Sequence, residues 1–572
     1  MRLWETWRTR WRSTRKWPPT TPWRTPPKRC RKKGLSRRGG GLKLTKFVFI
    51  TGGVLSSLGK GILTASTALF FKSMGYTTTA IKIDPYVNVD ASTMNPYAHG
   101  EVFVTEDGGE TDLDLGHYER FLHQNLTKNN NITTGKVYLN VIEKERKGEY
   151  LGQTVQIIPH VTDEIKRMID EVAKDFDVAV VEIGGTVGDI EGLPFLEAAR
   201  QMWVERRGDV AFVHVALVPV LSTTGEQKTK PLQHSVQELR RIGIQPHVVV
   251  GRSTKPLEPE TKRKIALYSN LPEEAVFSDP DVEFVYEVPL RLAEQGYPKY
   301  LTKILGLEER KIELEYWVDF VNKLKSLPEG PTVAMVGKYT KLKDSYLSII
   351  ESLKHSAVEA GFMPKLKWVE VTDVERGKLS PEEAAEADGA IILPGFGKRG
   401  AEGKIAVIKE LRERGVPTLG ICFGMQMMVV EVARHLAGLE GANSEEVDPN
   451  TPHPVVALLD EQRKLKYLGG TMRLGAKPVI IMKGTKLWEA YKKTLVKERH
   501  RHRYDVNPKY LDKLEEAGLR VSAWSEGVPE GVELEGQEFW GVQYHPEFKS
   551  RPLQPSPVYT RFLKTLKFSA SS

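Results

Sequence analysis

Two strand-to-helix junctions built on glycine restrict this chain to a layered α/β fold. In the first, an apolar run at 46–51 breaks into Gly52-Gly53-Val54-Leu55-Ser56-Ser57-Leu58-Gly59-Lys60-Gly61. A helical pattern follows to about Met74. In the second, the run 416–421 enters Gly420-Ile421-Cys422-Phe423-Gly424 and leaves as a helix. A helix that starts directly after a buried strand packs back over the sheet, so the next strand lies parallel. Alternation predicts further strands at 78–83, 178–183, 211–220 and 246–251, with helices at 194–206, 236–242 and 260–267. A charged amphipathic stretch leads to Pro328-Glu329-Gly330-Pro331, a breaker cluster. A second alternating set runs through strands at 332–337, 367–371 and 389–393 and helices at 345–360 and 403–414. It ends on Trp540–Glu547 and a helix to about Lys567. The fold class is therefore α/β, with two parallel-sheet domains over 45–309 and 331–568 and a linker at 310–330.

Charge is concentrated at one end. Residues 1–43 hold 15 of the 83 Lys and Arg against one acid, Glu5, and five of the 11 tryptophans. They lack aliphatic periodicity, so 1–44 reads as a disordered basic tail. Three readings of it stand: a nucleic-acid or anionic-surface tether, a targeting peptide, or an artefact of an upstream start site. Two cysteines exclude a disulfide framework and fit a reducing cytoplasm. No apolar run approaches the roughly 20 residues of a membrane span.

The first junction resembles a phosphate-binding loop, with five residues between Gly53 and Gly59 and Gly61 where a hydroxyl residue is usual. Backbone amides at the helix start would cradle phosphate, and Lys60 would neutralise it. Without the hydroxyl, a metal ion would be held by carboxylates elsewhere. Asp107, Glu110, Asp112 and Asp114 crowd one loop, and Glu182 closes the strand at 178–183. Lys228, Thr229 and Lys230 follow another strand, and Lys82 ends a third, where it could stabilise charge on a transferring phosphoryl group.

The second junction is a thiol nucleophile elbow, with small flanking residues permitting the turn and a helix N-terminus favouring the thiolate. Such a nucleophile needs a base and an orienting acid. His545 and Glu547, two apart along a strand, share one face. Backbone amides at Pro394-Gly395-Phe396-Gly397 could form an oxyanion hole. The chemistry predicted is that of a thiol amidase, in which the thiolate attacks a carboxamide, ammonia leaves and water releases the acyl group.

Together and in this order, the motifs resemble the CTP synthase family over residues 45–567. SSLGKG, KIDPY, HGEVFVTEDGGETDLDLGHYERF, VEIGGTVGDIE, KTKP-x-QHS, GGTMRLG and ERHRHRY carry the likeness. It implies a P-loop-like amidoligase domain followed by a class I glutamine amidotransferase domain, and amination of UTP to CTP through a 4-phosphorylated intermediate. It implies ATP on Ser57, Leu58, Gly59, Lys60, Gly61, Ile62, Asp114, Asp281 and Val282, and Mg²⁺ on Asp114 and Glu182. Lys82 would assist phosphoryl transfer. UTP, or CTP as inhibitor, would lie on Ser56, Asp189, Ile190, Glu191, Lys228, Thr229, Lys230, Pro231, Leu232, Gln233 and Lys264. Glutamine would lie on Gly395, Phe423, Gly424, Met425, Gln426, Glu446 and Arg473, and His99 would stand at the ammonia passage. The likeness also implies GTP as allosteric activator and a cytoplasmic homotetramer able to form filaments.

The family pattern Pro-Gly-Gly-Phe-Gly is one glycine shorter here, which predicts impaired glutamine use. Pro280 stands where a polar residue is common, and Phe423 where leucine is. Two other readings compete: a glutamine amidoligase acting on a cofactor carboxylate, and a structural or regulatory protein.

Overall fold

The computed structural model describes residues 45–55, 58–94, 99–458 and 472–566. The expectations placed on the basic tail, on Ser56 and Ser57, and on part of the GGTMRLG run lie outside these residues. The described residues form one compact unit.

The first sheet has seven parallel strands: β1 Lys46–Gly53, β2 Thr78–Asp84, β3 Asn131–Thr133, β4 Val178–Ile183, β5 Val210–Leu217, β6 Val248–Ser253 and β7 Val276–Pro280. Their order is β3-β2-β4-β1-β5-β6-β7. Every residue of β2 and β4 is buried, as expected of strands covered on both faces. Val180, Val181 and Phe49 are fully inaccessible. β1 is central, with Ile50 beside Glu182 of β4 and Val213 of β5. Its C-terminal end opens where the connections diverge to either side, the usual ligand crevice of such sheets. Helix α1, Lys60–Ser73, leaves that end, and helix α2, Asp114–Leu122, packs beside it.

The second sheet has nine strands: β8 Glu329–Gly337, β9 Met363–Glu370, β10 Gly389–Ile392, β11 Thr418–Ile421, β12 Arg473–Ile481, β13 Leu495–His502, β14 Leu519–Ser525, β15 Val528–Leu534 and β16 Phe539–Val542. The order is β9-β8-β10-β11-β16-β15-β14-β12-β13. The β9-β8-β10-β11-β16 part is parallel and the rest antiparallel. The second sheet is thus mixed, with the strand that leads to Cys422 in its parallel part.

The stretch expected as a linker is structured. Helix α3, Glu315–Ser326, buries Trp317, Phe320, Val321 and Leu324 in the first core. The breaker cluster that follows opens β8. Gly330 is required there because a Cβ would lie 2.3 Å from the Phe362 ring.

The halves meet along β13. Arg499, wholly buried, donates to Glu119 at 2.8 Å, Glu106 at 3.2 Å and the carbonyl of Val104 at 2.9 Å. Arg551 also reaches Glu119 at 3.1 Å, and Arg501 donates to Glu110 at 2.8 Å. Gly475 packs against the backbone of Gly108, where a Cβ would come within 2.6 Å of its nitrogen.

Candidate functional site

Lys60 opens α1 behind Gly59, whose φ of 84° is a left-handed conformation natural to glycine. Its ammonium donates to the carbonyl of Gly185 at 2.8 Å. Burial lowers its pKa, and Glu182 works against that shift. A Cβ on Gly61 would fall 1.8 Å from an Asp114 carboxylate oxygen, so a side chain there would displace that carboxylate. Lys82, near the end of β2, is the hub. It is ion-paired with Asp114, with Glu182 at 3.0 Å, Asp112 at 3.7 Å and Asp84 at 3.8 Å. Burial works against this ammonium, but the four carboxylates outweigh it and hold its pKa well above the ordinary lysine range. Burial raises the carboxyls of Glu182, Asp112 and Asp84; at Asp114 burial also acts upward, but Lys82, His117 and a hydrogen bond with Asp112 together outweigh it and lower the pKa.

The sequence-predicted residues of this half fall into two groups. Lys60, Lys82, Asp114 and Glu182 converge, with Leu58 and Ile62 packed at the loop. Thr229, Leu232 and Gln233 are buried, the Gln233 amide donating to the Thr229 hydroxyl at 2.9 Å. Asp189, Ile190, Glu191, Lys230 and Lys264 are exposed. Lys228 pairs with Glu226 at 2.6 Å, and Lys264 acts on the same Glu226. Pro231 lies in the first turn of the helix that begins at Lys230. Asp281 pairs with Arg252 at 2.6 Å beside half-buried Val282. His99 makes an edge contact with the Tyr86 ring, whose hydroxyl donates to Asp84 at 3.3 Å.

In the second half, Cys422 has φ 52° and ψ −112° and caps helix α4, Phe423–His435. The two flanking glycines are sterically required. A Cβ on Gly420 would meet the Met428 sulfur at 2.3 Å, and one on Gly424 the Ile392 carbonyl oxygen at 2.0 Å. Holding a side-chain residue at positive φ costs of order 1–3 kcal/mol, a strain characteristic of nucleophile elbows. The Cys422 thiol donates to the carbonyl of Arg501 at 3.7 Å, and the Gln543 amide donates to the sulfur at 3.6 Å.

His545 Nδ1 donates to Glu547 at 2.7 Å, and the Tyr559 hydroxyl donates to the other Glu547 oxygen at 3.2 Å. Nε2 makes no geometric hydrogen bond among the described residues, yet Cys422 acts on the ring. Burial disfavours the imidazolium, but Glu547 and then Cys422 outweigh it and raise the pKa to about 10. The His545 amide donates to the carbonyl of Arg499 at 2.8 Å. Strand β13 thus backs both His545 and Cys422 while its arginines grip the other half.

Phe423, Met425 and Gln426 are buried behind the elbow, with the Gln426 amide donating to the Tyr504 carbonyl at 2.8 Å. The turn at Gly395 lies against Phe423, and the Gly397 amide donates to Glu446 at 2.8 Å. Arg473, expected at the glutamine site, opens β12. It pairs with Ser525, Glu526 and Glu530, each at 3.3 Å. The arginine whose charge acts on Glu446 is Arg503. Sequence reasoning singled out the run 498–504 but gave Arg503 no role. It also passed over Glu101, which accepts from the Ser348 amide at 2.9 Å. Burial and the charge of Glu547 push Glu101 up to about 7.

His500, His502 and Glu530 bring three ligand-type atoms within 4.8 Å. His500 Nδ1 and His502 Nε2 are 3.0 Å apart, and His502 Nδ1 lies 3.1 Å from Asp505. A metal-bound imidazole directs its second nitrogen to an acceptor. His500 Nε2 has no hydrogen-bond partner among the described residues, and Arg473 already pairs with Glu530. The cluster therefore fits a proton-sharing chain better than an ion site.

A phosphate-cradling parallel α/β half joined to a thiol amidotransferase half defines a glutamine-dependent amidoligase. Residues 46–307 match the family described as CTP synthase N-terminus, and 341–565 match Glutamine amidotransferase class-I. The CTP synthase of Aeropyrum pernix is 61% identical over 91% of this chain and 98% of its own length. That of Pyrococcus furiosus is 59% identical over 92% and 98%. The solved glutaminase domain of Trypanosoma brucei CTPS, with bound acivicin, is 34% identical over 41% of this chain and 92% of its own, with TM-score 0.39. The chain belongs to the CTP synthase family and makes CTP from UTP with nitrogen from glutamine.

Proposed function

We propose that the Lys60–Lys82 crevice transfers phosphate from ATP to O4 of UTP, and that Cys422 liberates the ammonia that displaces it. The observation that carries this reading is the convergence of Lys82 on four carboxylates beside a phosphate loop, on one chain with a Cys–His–Glu set. Lys60 neutralises phosphate at the start of α1, and Lys82 stabilises charge on the transferring group. Asp114 and Glu182 offer the carboxylate oxygens that suit Mg²⁺, which typically takes one or two together with substrate phosphates. When bound there, Mg²⁺ would neutralise phosphate charge. Half-buried Lys228, exposed Lys230 and Lys264, and Asp189 to Glu191 hold UTP, or CTP as inhibitor.

In the other half the Cys422 sulfur attacks the glutamine carboxamide. The protonated His545, oriented by Glu547, gives its proton to the departing ammonia. Water then releases the acyl group. Glu446 and Arg503 hold the amino-acid end of glutamine. Ammonia passes His99 and Glu101, whose segment contacts both halves: the Glu101 amide donates to Asp344 at 3.1 Å.

The open UTP residues and Ile190, 80% exposed, support completion of this site by a second copy in a homotetramer. GTP acts as activator, and the enzyme works in the cytoplasm. Among the described residues no helix is long and apolar enough to cross a membrane.

Cys422→Ala tests the division of labour. It is expected to abolish CTP formation from glutamine and to leave formation from added ammonia within about twofold. Lys82→Met is expected to abolish both. Loss of ammonia-driven synthesis in folded Cys422→Ala would overturn the assignment.

A further inference from the structure

Lys338 and Lys404 are almost completely buried, 4% and 2% exposed, and have no carboxylate hydrogen-bonded to them among the described residues. Burying an ammonium without such a partner is costly, and two of them converge on one turn. A Cβ on Gly395 would lie 3.5 Å from Lys338 Cε and 3.9 Å from Lys404 Nζ. Lys404 donates to the carbonyl of Leu393 at 2.7 Å, and Lys338 donates to the carbonyl of Phe396. The two lysines therefore grip the carbonyls on either side of Pro394-Gly395.

In an extended or turning backbone, fixing a carbonyl on one side commits neighbouring amides to other directions. Pro394 has no N–H, and the Gly397 amide is taken by Glu446. That leaves the amides of Gly395 and Phe396, for which no described residue acts as acceptor. The turn lies against Phe423, the residue after the thiol, with the Phe423 ring 3.7 Å from the Cβ position of Gly395. The first amide of α4 starts at that residue and has no partner within the helix.

We propose that Lys338 and Lys404 are positioning residues for glutamine hydrolysis: they clamp the 393–397 turn so that its amides receive the oxyanion formed at Cys422. The lysines hold this turn from outside it. Burial and Lys338 depress Lys404 to about 7, while the charge of Cys422 acts in the opposite direction, as expected of an ammonium close to the nucleophile. Burial depresses Lys338 to about 8.

The proposal rests on Cys422 as nucleophile, so Cys422→Ala is run alongside. In the full-length protein, Lys404→Met and Lys338→Met are expected to lower kcat for glutamine hydrolysis about tenfold or more, with KM for glutamine within about twofold. Loss of one oxyanion donor elsewhere costs about 10²–10³ in kcat, and a displaced donor loses part of that. CTP formation from ammonia should stay within about twofold, which also reports folding. Lys404→Gln and Lys338→Gln keep a donor and should retain more kcat than the Met variants. They also decide the matter if the Met variants fail to fold. The rate of Cys422 alkylation by iodoacetamide should change less than about threefold. Unchanged kcat, parallel loss of kcat and KM, or alkylation falling in step with kcat would overturn the clamp. Glutamine use surviving in Cys422→Ala would instead overturn the assignment beneath it.

Discussion

At the scale of single residues, His545 links electrostatics to stability. Its pKa is raised from the ordinary value to about 10 in the folded chain. The folded state therefore binds a proton more tightly than the unfolded state between about 6.5 and 10. The stabilisation is complete below the unfolded value and is lost as pH rises through the folded one. His545→Gln should flatten the decline in melting temperature between pH 7 and 10, measured by scanning calorimetry. An unchanged slope would mean that the ring is not held as an imidazolium. The elbow itself is legible in the sequence, because each glycine beside Cys422 answers a backbone or sulfur atom that a Cβ would strike. Lys338, Lys404, Glu101 and Arg503 are not legible in this way. Each is a polar residue in an ordinary setting until the fold brings a distant partner to it.

Among elements, β13 and α2 form the joint. Helix α2 begins at Asp114, beside Lys82, and carries Glu119 little more than a turn later, where Arg499 of β13 grips it. Removing one partner of a buried ion pair costs about 3–5 kcal/mol because a charge is left uncompensated. Arg499→Met should lower stability by that order, moderated by the second arginine, Arg551, on Glu119. The double variant with Glu119→Gln should lose less than the sum of the singles, measured by chemical denaturation. Simple additivity would show that the two side chains act independently. β13 also explains why the second sheet was read only in part. Glu498-Arg499-His500-Arg501-His502 is polar throughout and yet almost wholly buried. Hydrophobic alternation has nothing to register there, whereas the apolar strands β1, β4 and β5 announce themselves.

For the whole molecule, the family match begins at residue 46, with the first strand. Deleting residues 1–43 should leave kcat with glutamine and with ammonia within about twofold. Salt-sensitive binding to DNA or anionic vesicles, if it accompanies the full chain, should vanish with the deletion. A large loss of catalysis would make the basic segment part of the enzyme proper. The order of the two α/β halves was readable because each opens with its own strand and turn. The continuity between them was not. α3 looked like a charged connector because its four core side chains are spread among exposed acids and lysines.

The seam at Arg499 also gives the molecule a response to heat. The hydration of charged groups becomes less favourable as temperature rises, so the penalty for burying an ion pair falls, while apolar burial gains little further strength. The hold of β13 on Glu119 and Glu106 should therefore form a growing share of what joins the halves on warming. The cores on either side would soften before this seam does.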